Sequence, residues 1–99
     1  MKKPGTAARE AAEALAIQAL GYLAEDTDRL GRFLVATGIS PTAIRGASRE
    51  PGFLAGVLEH MLGDESLLLD FAASAGIDDP SLVARAQQVL GGRWERDIP

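Results

Sequence analysis

The chain has 99 residues, of which 46% are hydrophobic and 24% charged, enough for one globular domain with a modest core and too apolar for a disordered chain. The absence of cysteine excludes disulfides, thiolate metal sites and cysteine nucleophiles, and it fits a reducing cytoplasm. The net charge is −4 and no apolar run reaches about eighteen residues, so we expect a soluble cytoplasmic protein without a membrane partner.

The first helix is predicted over residues 7–24, with Thr6 as its N-cap and residues 1–6 as a flexible N-terminus. Its apolar residues recur at helical spacing and form one stripe: Ala8, Ala12, Leu15, Ala16, Ala19, Leu20 and Leu23. Asp26 or Thr27 is expected to cap a second helix. That helix carries Leu30, Phe33 and Leu34.

The second helix is predicted to end at Gly38, because glycine adopts the left-handed conformation without steric cost. Ile39 would then pack back on Leu34, as in a Schellman ending. Ser40 and Pro41 predict the start of a third helix, with the serine side chain accepting a backbone N–H. Gly46 and Pro51 should keep that helix to about eight residues.

Three further helices are expected in the second half. The fourth runs over residues 51–62, where Gly52, Ala55 and Gly56 would let a neighbouring backbone approach closely. Asp64 caps the fifth, whose buried candidates are Leu67, Leu68, Leu69, Phe71 and Ala72. The sixth helix is predicted to begin at Asp79–Pro80 and to end at the glycines 91–92. The residues on its inner face are Leu82, Val83, Ala86, Val89 and Leu90.

No segment alternates with period two, so no strand is predicted. The fold class is therefore all-α, a small irregular bundle of about five to six short helices without a sheet. Residues 7–92 form the single helical domain and residues 93–99 a C-terminal tail.

One pattern occurs twice: a phenylalanine, then glycine, isoleucine, a capping residue and proline. The copies are residues 33–41 and residues 71–80. The first is typical of a helix-turn-helix and lies in residues 29–49, which have four arginines and no acid, whereas residues 50–84 have seven acids and no lysine or arginine. A nucleic-acid-binding module is therefore one hypothesis, and its candidate contacts are Arg29, Arg32, Thr42, Arg45 and Arg49.

Two features oppose that hypothesis. Leu34 stands where a small residue usually lets the two helices cross, and the acidic chain disfavours phosphate binding. The second copy keeps the turn and loses the basic residues, which indicates an architectural role for both.

Catalysis and cofactor binding are not indicated. His60 is the only histidine and is expected to be solvated, while Asp64, Glu65 and Asp70 fit caps and exposed faces. No phosphate loop or dinucleotide fingerprint is present, so we expect no enzyme, no cofactor, no metal and no small-molecule substrate.

Protein contacts, including self-association, are the favoured hypothesis. The tail carries Trp94 and Ile98, which either dock on their own bundle or anchor a partner. The fifth helix is apolar nearly all round, so it should be central or shared with another chain.

The chain also resembles a known family of unknown function, DUF3572, which is all-helical and known mainly from alphaproteobacteria. The resemblance lies in Phe33-Leu34, Gly38-Ile39-Ser40, Arg45, Pro51-Gly52-Phe53-Leu54, Val57-Leu58, Asp64-Glu65, Leu68, Phe71-Ala72 and Gly76-Ile77. It implies a short helical protein of a bacterial cytoplasm and brings no catalytic residue, cofactor or substrate.

Overall fold

A computed structural model describes the backbone of residues 4–47 and 51–96 and the side chains of residues 7–47 and 52–91. Every regular element in these ranges is helical, so the all-α class is confirmed. The elements are α1 (Pro4–Ala24), α2 (Thr27–Thr37), a 3-10 turn (Pro41–Ala43), α3 (Ile44–Ala47), α4 (Pro51–Leu62), α5 (Glu65–Ala75) and α6 (Ser81–Arg96).

α1 begins three residues earlier than predicted. Its first residue is Pro4, so Thr6 lies inside the helix and the N-cap assignment was wrong. Proline fits the first helical turn because the N–H that it lacks would have no partner there. The predicted stripe is buried at Ala12, Leu15, Ala16, Ala19 and Leu23, whereas Ala8 is exposed.

Both predicted ends of α2 are confirmed, but the hydrogen bonding at its C-terminal end differs from the prediction. Asp26 is the N-cap, and its carboxylate accepts the N–H groups of Asp28 and Arg29 at 2.8 and 3.3 Å. Gly38 is left-handed, with φ of 75°, and its N–H donates to the Leu34 carbonyl at 2.8 Å. This bond makes an αL ending rather than the Schellman ending expected there.

The third helix is less regular than predicted in its described part. Its described part is a 3-10 turn followed by the four α-helical residues of α3, and none of these residues is buried. The Ser40 side chain caps no backbone N–H; its hydroxyl lies 3.2 Å from that of Thr42. The capping prediction at Ser40 was therefore wrong.

α4, rather than α5, is the central helix. It contacts α1, α2, α5 and α6 and contributes five residues to the core, Leu54, Ala55, Val57, Leu58 and Met61. α5 buries Phe71 and Ala72, but Leu67 and Leu68 are half-buried and Leu69 is 48% exposed. α5 is therefore not central within this chain, because one of its faces is solvated, and the alternative that it is shared with another chain stays a prediction.

α5 has the ends that the sequence predicts. The Asp64 carboxylate accepts the N–H of Leu67 at 3.2 Å. At the other end Gly76 is left-handed, with φ of 72°, and the Ile77 N–H donates to the Ala72 carbonyl at 2.8 Å. The Gly76 N–H also reaches the Ala73 carbonyl, which completes a Schellman ending.

α6 does not stop at its two glycines. It continues to Arg96, so residues 93–96, expected in a non-helical tail, are helical. Glycine costs a helix only about 1 kcal/mol, which the neighbouring turns can offset. On the inner face Val83, Ala86 and Leu90 are buried as predicted, but Leu82 is 44% exposed.

Candidate interaction surface

Arg29 is part of the contact between α1 and α2. Its guanidinium donates to the Tyr22 carbonyl at 2.7 Å and lies 4.0 Å from the centroid of the Tyr22 ring. It also lies 3.9 Å from the Asp26 carboxylate. These three contacts hold the side chain against α1, so Arg29 has a structural role there.

Three of the other four predicted nucleic-acid contacts have exposed side chains. Arg32 is exposed on α2, and Thr42 and Arg45 are exposed on the following segment. The Thr42 hydroxyl is within hydrogen-bond distance of Ser40. Arg49 lies outside the described residues, as do its neighbours 48 and 50.

His60 is half-buried, which corrects the expectation of a solvated side chain. Its ring meets the edge of Phe33 with the centroids 5.3 Å apart, and Phe53 lies on the same phenylalanine at 5.7 Å. Burial lowers the pKa of His60 below its usual 6.5, and the negative charge of Asp64 partly opposes that shift. The neutral imidazole therefore belongs to an aromatic contact between α2 and α4.

The acidic residues form no candidate metal site in the described part of the chain, where no three potential ligands cluster. Asp64 caps α5, and Glu65 and Asp70 are exposed on that helix. At the start of α6, Asp79 accepts the Ser81 N–H at 3.1 Å and lies 3.6 Å from Arg85. Hydrogen bonding to Ser81 lowers the pKa of Asp79.

The predicted partner contacts fall where side chains are not described. Trp94 lies on the last turn of α6, whose backbone is helical, and Ile98 lies beyond the described residues. Whether either residue contacts a partner stays a prediction.

An apolar concave surface lies between α1 and α6. This α1–α6 groove has a volume of about 510 Å³. Its lining is almost wholly aliphatic, with Gln18 and Arg85 as the polar members: Ala8, Ala11, Ala12, Ala14, Leu15, Gln18, Ile77, Leu82, Arg85, Ala86 and Val89. Leu82 is the most exposed large hydrophobic residue among them, at 44%. Such a groove suits an apolar side chain or helix from a partner.

A second groove follows the small residues of α4. It has a volume of about 430 Å³ and is lined by Gly52, Ala55, Gly56, Glu59, Gln87, Leu90 and Gly91. A Cβ atom added at Gly52 or Gly56 would meet no atom within 4 Å. The close approach expected there occurs instead at Ala55, whose Cβ would lie 3.8 Å from a Cβ on Gly91.

Sequence reasoning missed the α1–α6 groove, although a signal for it exists. Alanine occurs on both faces of α1, at the buried Ala12, Ala16 and Ala19 and at the exposed Ala8, Ala11 and Ala14. A helix that faces water on one side usually carries charge there. The excess alanine therefore indicates a second apolar face.

Comparison with known proteins places the chain in a family without assigning a function. A family model described as a protein of unknown function (DUF3572) matches residues 9–93. No curated protein and no solved structure matches the chain. None of the described helices has the length and apolar character needed to cross a membrane. Since the match covers all helices from the second turn of α1 into the last turns of α6, the chain belongs to the DUF3572 family.

Proposed function

We propose that the protein acts in a bacterial cytoplasm as a non-enzymatic contact module, and that the α1–α6 groove is its contact surface. The observation that carries this proposal is the exposure of Leu82 in a concave surface with aliphatic walls. Burying a leucine side chain fully is worth about 1.5–3 kcal/mol, so covering this groove would favour association.

The electrostatics of the groove support an apolar partner. Its one charged lining residue, Arg85, lies 3.6 Å from Asp79 and 3.3 Å from the Ser81 hydroxyl. A binding partner therefore needs no compensating charge at this point. A helix with apolar residues three and four apart would present a continuous apolar face to such a groove.

The nucleic-acid hypothesis has less support. Arg29 is engaged with Tyr22, and the described part of the segment after Gly38 has only four α-helical residues, whereas a recognition helix must reach several bases along a groove. No second function is therefore advanced.

Photocrosslinking tests the proposal with a matched control. A photoreactive p-benzoylphenylalanine replaces Leu82 in the full chain, expressed at its native level, and in a second strain it replaces Leu69 on α5. The two leucines are 44% and 48% exposed, so reagent accessibility is the same. We expect a protein adduct from position 82 and none from position 69. No adduct at position 82, or equal adducts at both, would contradict the proposal.

A further inference from the structure

The connection between α2 and α4 differs from the other connections of the bundle. Its described part includes residues 39–47, which contain the 3-10 turn and α3 and bury no side chain. We call residues 39–47 the strap. By contrast, residues 25–26 and residues 63–64 join their helices directly, and each pair ends in an aspartate that caps the next helix. The strap is longer than these connections and lies outside the core.

The connection between α5 and α6, residues 76–80, is attached to the bundle by an isoleucine. The Ile77 side chain packs against the core, and its N–H donates to the Ala72 carbonyl at 2.8 Å. The strap carries two isoleucines, Ile39 and Ile44, which are half-buried. Among the described residues, the half-buried side chains that pack against the core include neither of them. An apolar side chain therefore fastens residues 76–80 to the core and does not fasten the strap.

Two polar contacts of the strap are internal to it. The Ala43 N–H donates to the Ser40 carbonyl at 3.0 Å, and the Ser40 and Thr42 hydroxyls lie 3.2 Å apart. The 3-10 turn and α3 contact each other, whereas their contacts with the other described helices are sparse. Local opening costs least where a segment has few buried apolar contacts and an exposed backbone. Opening the strap therefore breaks few contacts with the bundle.

The helices on either side of the strap are held together without it. Phe33 of α2 is fully buried, and the centroid of its ring lies 5.7 Å from that of Phe53 and 5.3 Å from that of His60, both on α4. α1 packs against both α2 and α4 and thus also connects them. None of these contacts involves a residue of the strap, so they stay in place when the strap opens.

We propose that the strap is a conformational device that opens while α1, α2, α4, α5 and α6 stay folded, and that it is the site where a protease first cuts the native chain. This inference goes beyond the contact function and does not depend on it, since no strap residue lines the α1–α6 groove. A cut in the strap leaves α1 and α2 in one fragment and α4, α5 and α6 in the other. Because both fragments contribute residues to the same core, the cut chain stays assembled.

Limited digestion with thermolysin tests the site, because this protease cuts before large apolar residues. Hydrolysis adds one water across the Ala43–Ile44 bond, leaving a carboxylate on Ala43 and an amine on Ile44. Val35 on α2 is the matched control, because its side chain is 84% exposed on a helical backbone. We expect the first cut within residues 7–91 before Ile44 or Ile39, at least about ten times faster than before Val35, because cleavage needs an opened backbone. A first cut inside α1, α2, α4, α5 or α6 would overturn the proposal.

Two glycine variants distinguish local opening from unfolding of the bundle. Gly46 lies in α3 and Gly31 in α2, and a Cβ added at either would meet no atom within 4 Å. Alanine favours a helix over glycine, so Gly46→Ala should slow cleavage at the strap about fivefold. Gly31→Ala favours α2 instead and should leave that rate unchanged. Equal slowing in both variants would show that cleavage follows unfolding of the bundle, and the proposal would be overturned.

The cut chain provides the last measurement. After thermolysin is inhibited, the two fragments should elute together from a size-exclusion column and keep the helical circular dichroism of the native chain. They should separate only in denaturant, because the core that joins them lies outside the strap. Fragments that separate or lose their helical signal without denaturant would overturn the proposal.

Discussion

Two regions of the molecule begin alike and continue differently. Phe33 and Phe71 each lie five residues before a left-handed glycine, and both are buried, with exposures of 0% and 1%. Beyond Gly38 the described segment buries no residue, whereas beyond Gly76 the chain enters α6, which buries Val83, Ala86 and Leu90. The shared pattern therefore specifies a helix end and leaves the fate of the next segment open.

The two helix ends also differ in how they bond the isoleucine after the glycine. The Ile77 N–H donates to a backbone carbonyl at 2.8 Å, whereas the Ile39 N–H donates to the Thr37 hydroxyl at 3.4 Å. The residue that corresponds to Thr37 in the second copy is Ala75, which has no hydroxyl. The two copies thus end their helices with different hydrogen bonds, and a turn pattern alone does not identify a DNA-reading element.

The largest expected effect tests whether both phenylalanines are architectural. Phe33→Ala and Phe71→Ala should each lower the free energy of unfolding by about 3–5 kcal/mol, because each leaves a cavity. Phe33→Ala loses the ring contacts with Phe53 and His60. Phe71→Ala loses the contact with Tyr22, whose ring centroid lies 5.5 Å from that of Phe71. Urea denaturation measures both values. A cost below about 1 kcal/mol for Phe33→Ala would show that the first copy is not part of the core.

The glycines should show the next largest effect. Gly38→Ala and Gly76→Ala should each cost about 1–2 kcal/mol, because an L-residue is strained at positive φ. Gly21→Ala is the control, and it should change the folding stability in the opposite direction. Gly21 has helical backbone and open space at its Cβ, so alanine should stabilise the protein by up to about 1 kcal/mol. Thermal unfolding of the three variants would refute this account if all three shifted in the same direction.

A smaller effect tests the difference between the helix ends. Thr37→Ala removes the acceptor of the Ile39 N–H and should cost about 0.5–1.5 kcal/mol, the usual worth of such a hydrogen bond. Ala75→Thr adds a hydroxyl at the matching place, where the Ile77 N–H is already bonded, and should change stability little. Amide hydrogen exchange at Ile39 should accelerate only in Thr37→Ala. Unchanged exchange there would contradict the assigned bond.

The smallest expected effect is a dependence of the folding stability on pH, which comes from His60 next to Phe33 of the first copy. Burial lowers the pKa of His60 in the folded protein, so the unfolded chain binds the proton more readily. The contribution of neutral His60 to stability is complete above the unfolded value of 6.5 and declines as the pH falls below it. Denaturation across this range should show the native chain losing stability relative to His60→Gln.

Tyr22→Phe provides the comparison for the second copy. Histidine is the side chain that ordinarily titrates between about pH 5 and 8, so the stability difference between this variant and the native chain should not vary there. An equal trend in both variants would show that the acid response does not come from His60.

The predictable part of the molecule was local. Asp64 and the helix ends at Gly38 and Gly76 were identified correctly, and Asp26 was one of two candidates for its cap, because a cap or a positive φ depends on a few adjacent residues. The wrong predictions concerned competition between segments. Ser40 has the right side chain for a cap and makes no such bond, and Gly91 lies within α6 instead of ending it.

The candidate surface was less predictable than the fold. Trp94 and Ile98 were selected because they are large and lie near the C-terminus, whereas the groove depends on Leu82 and on alanines about seventy residues away in the sequence. Leu82 has the helical spacing of an inner residue but is 44% exposed in the folded chain.

The sequence by itself determined the helical class, the caps of α2 and α5 and the turns at Gly38 and Gly76, because these depend on backbone sterics and on hydrogen bonds within a few residues. The tertiary structure decided which helix is central, that Arg29 binds Tyr22, and that α1 retains a second apolar face. Those outcomes depend on which surfaces exclude water from one another, and the helical spacing of a single segment does not contain that information.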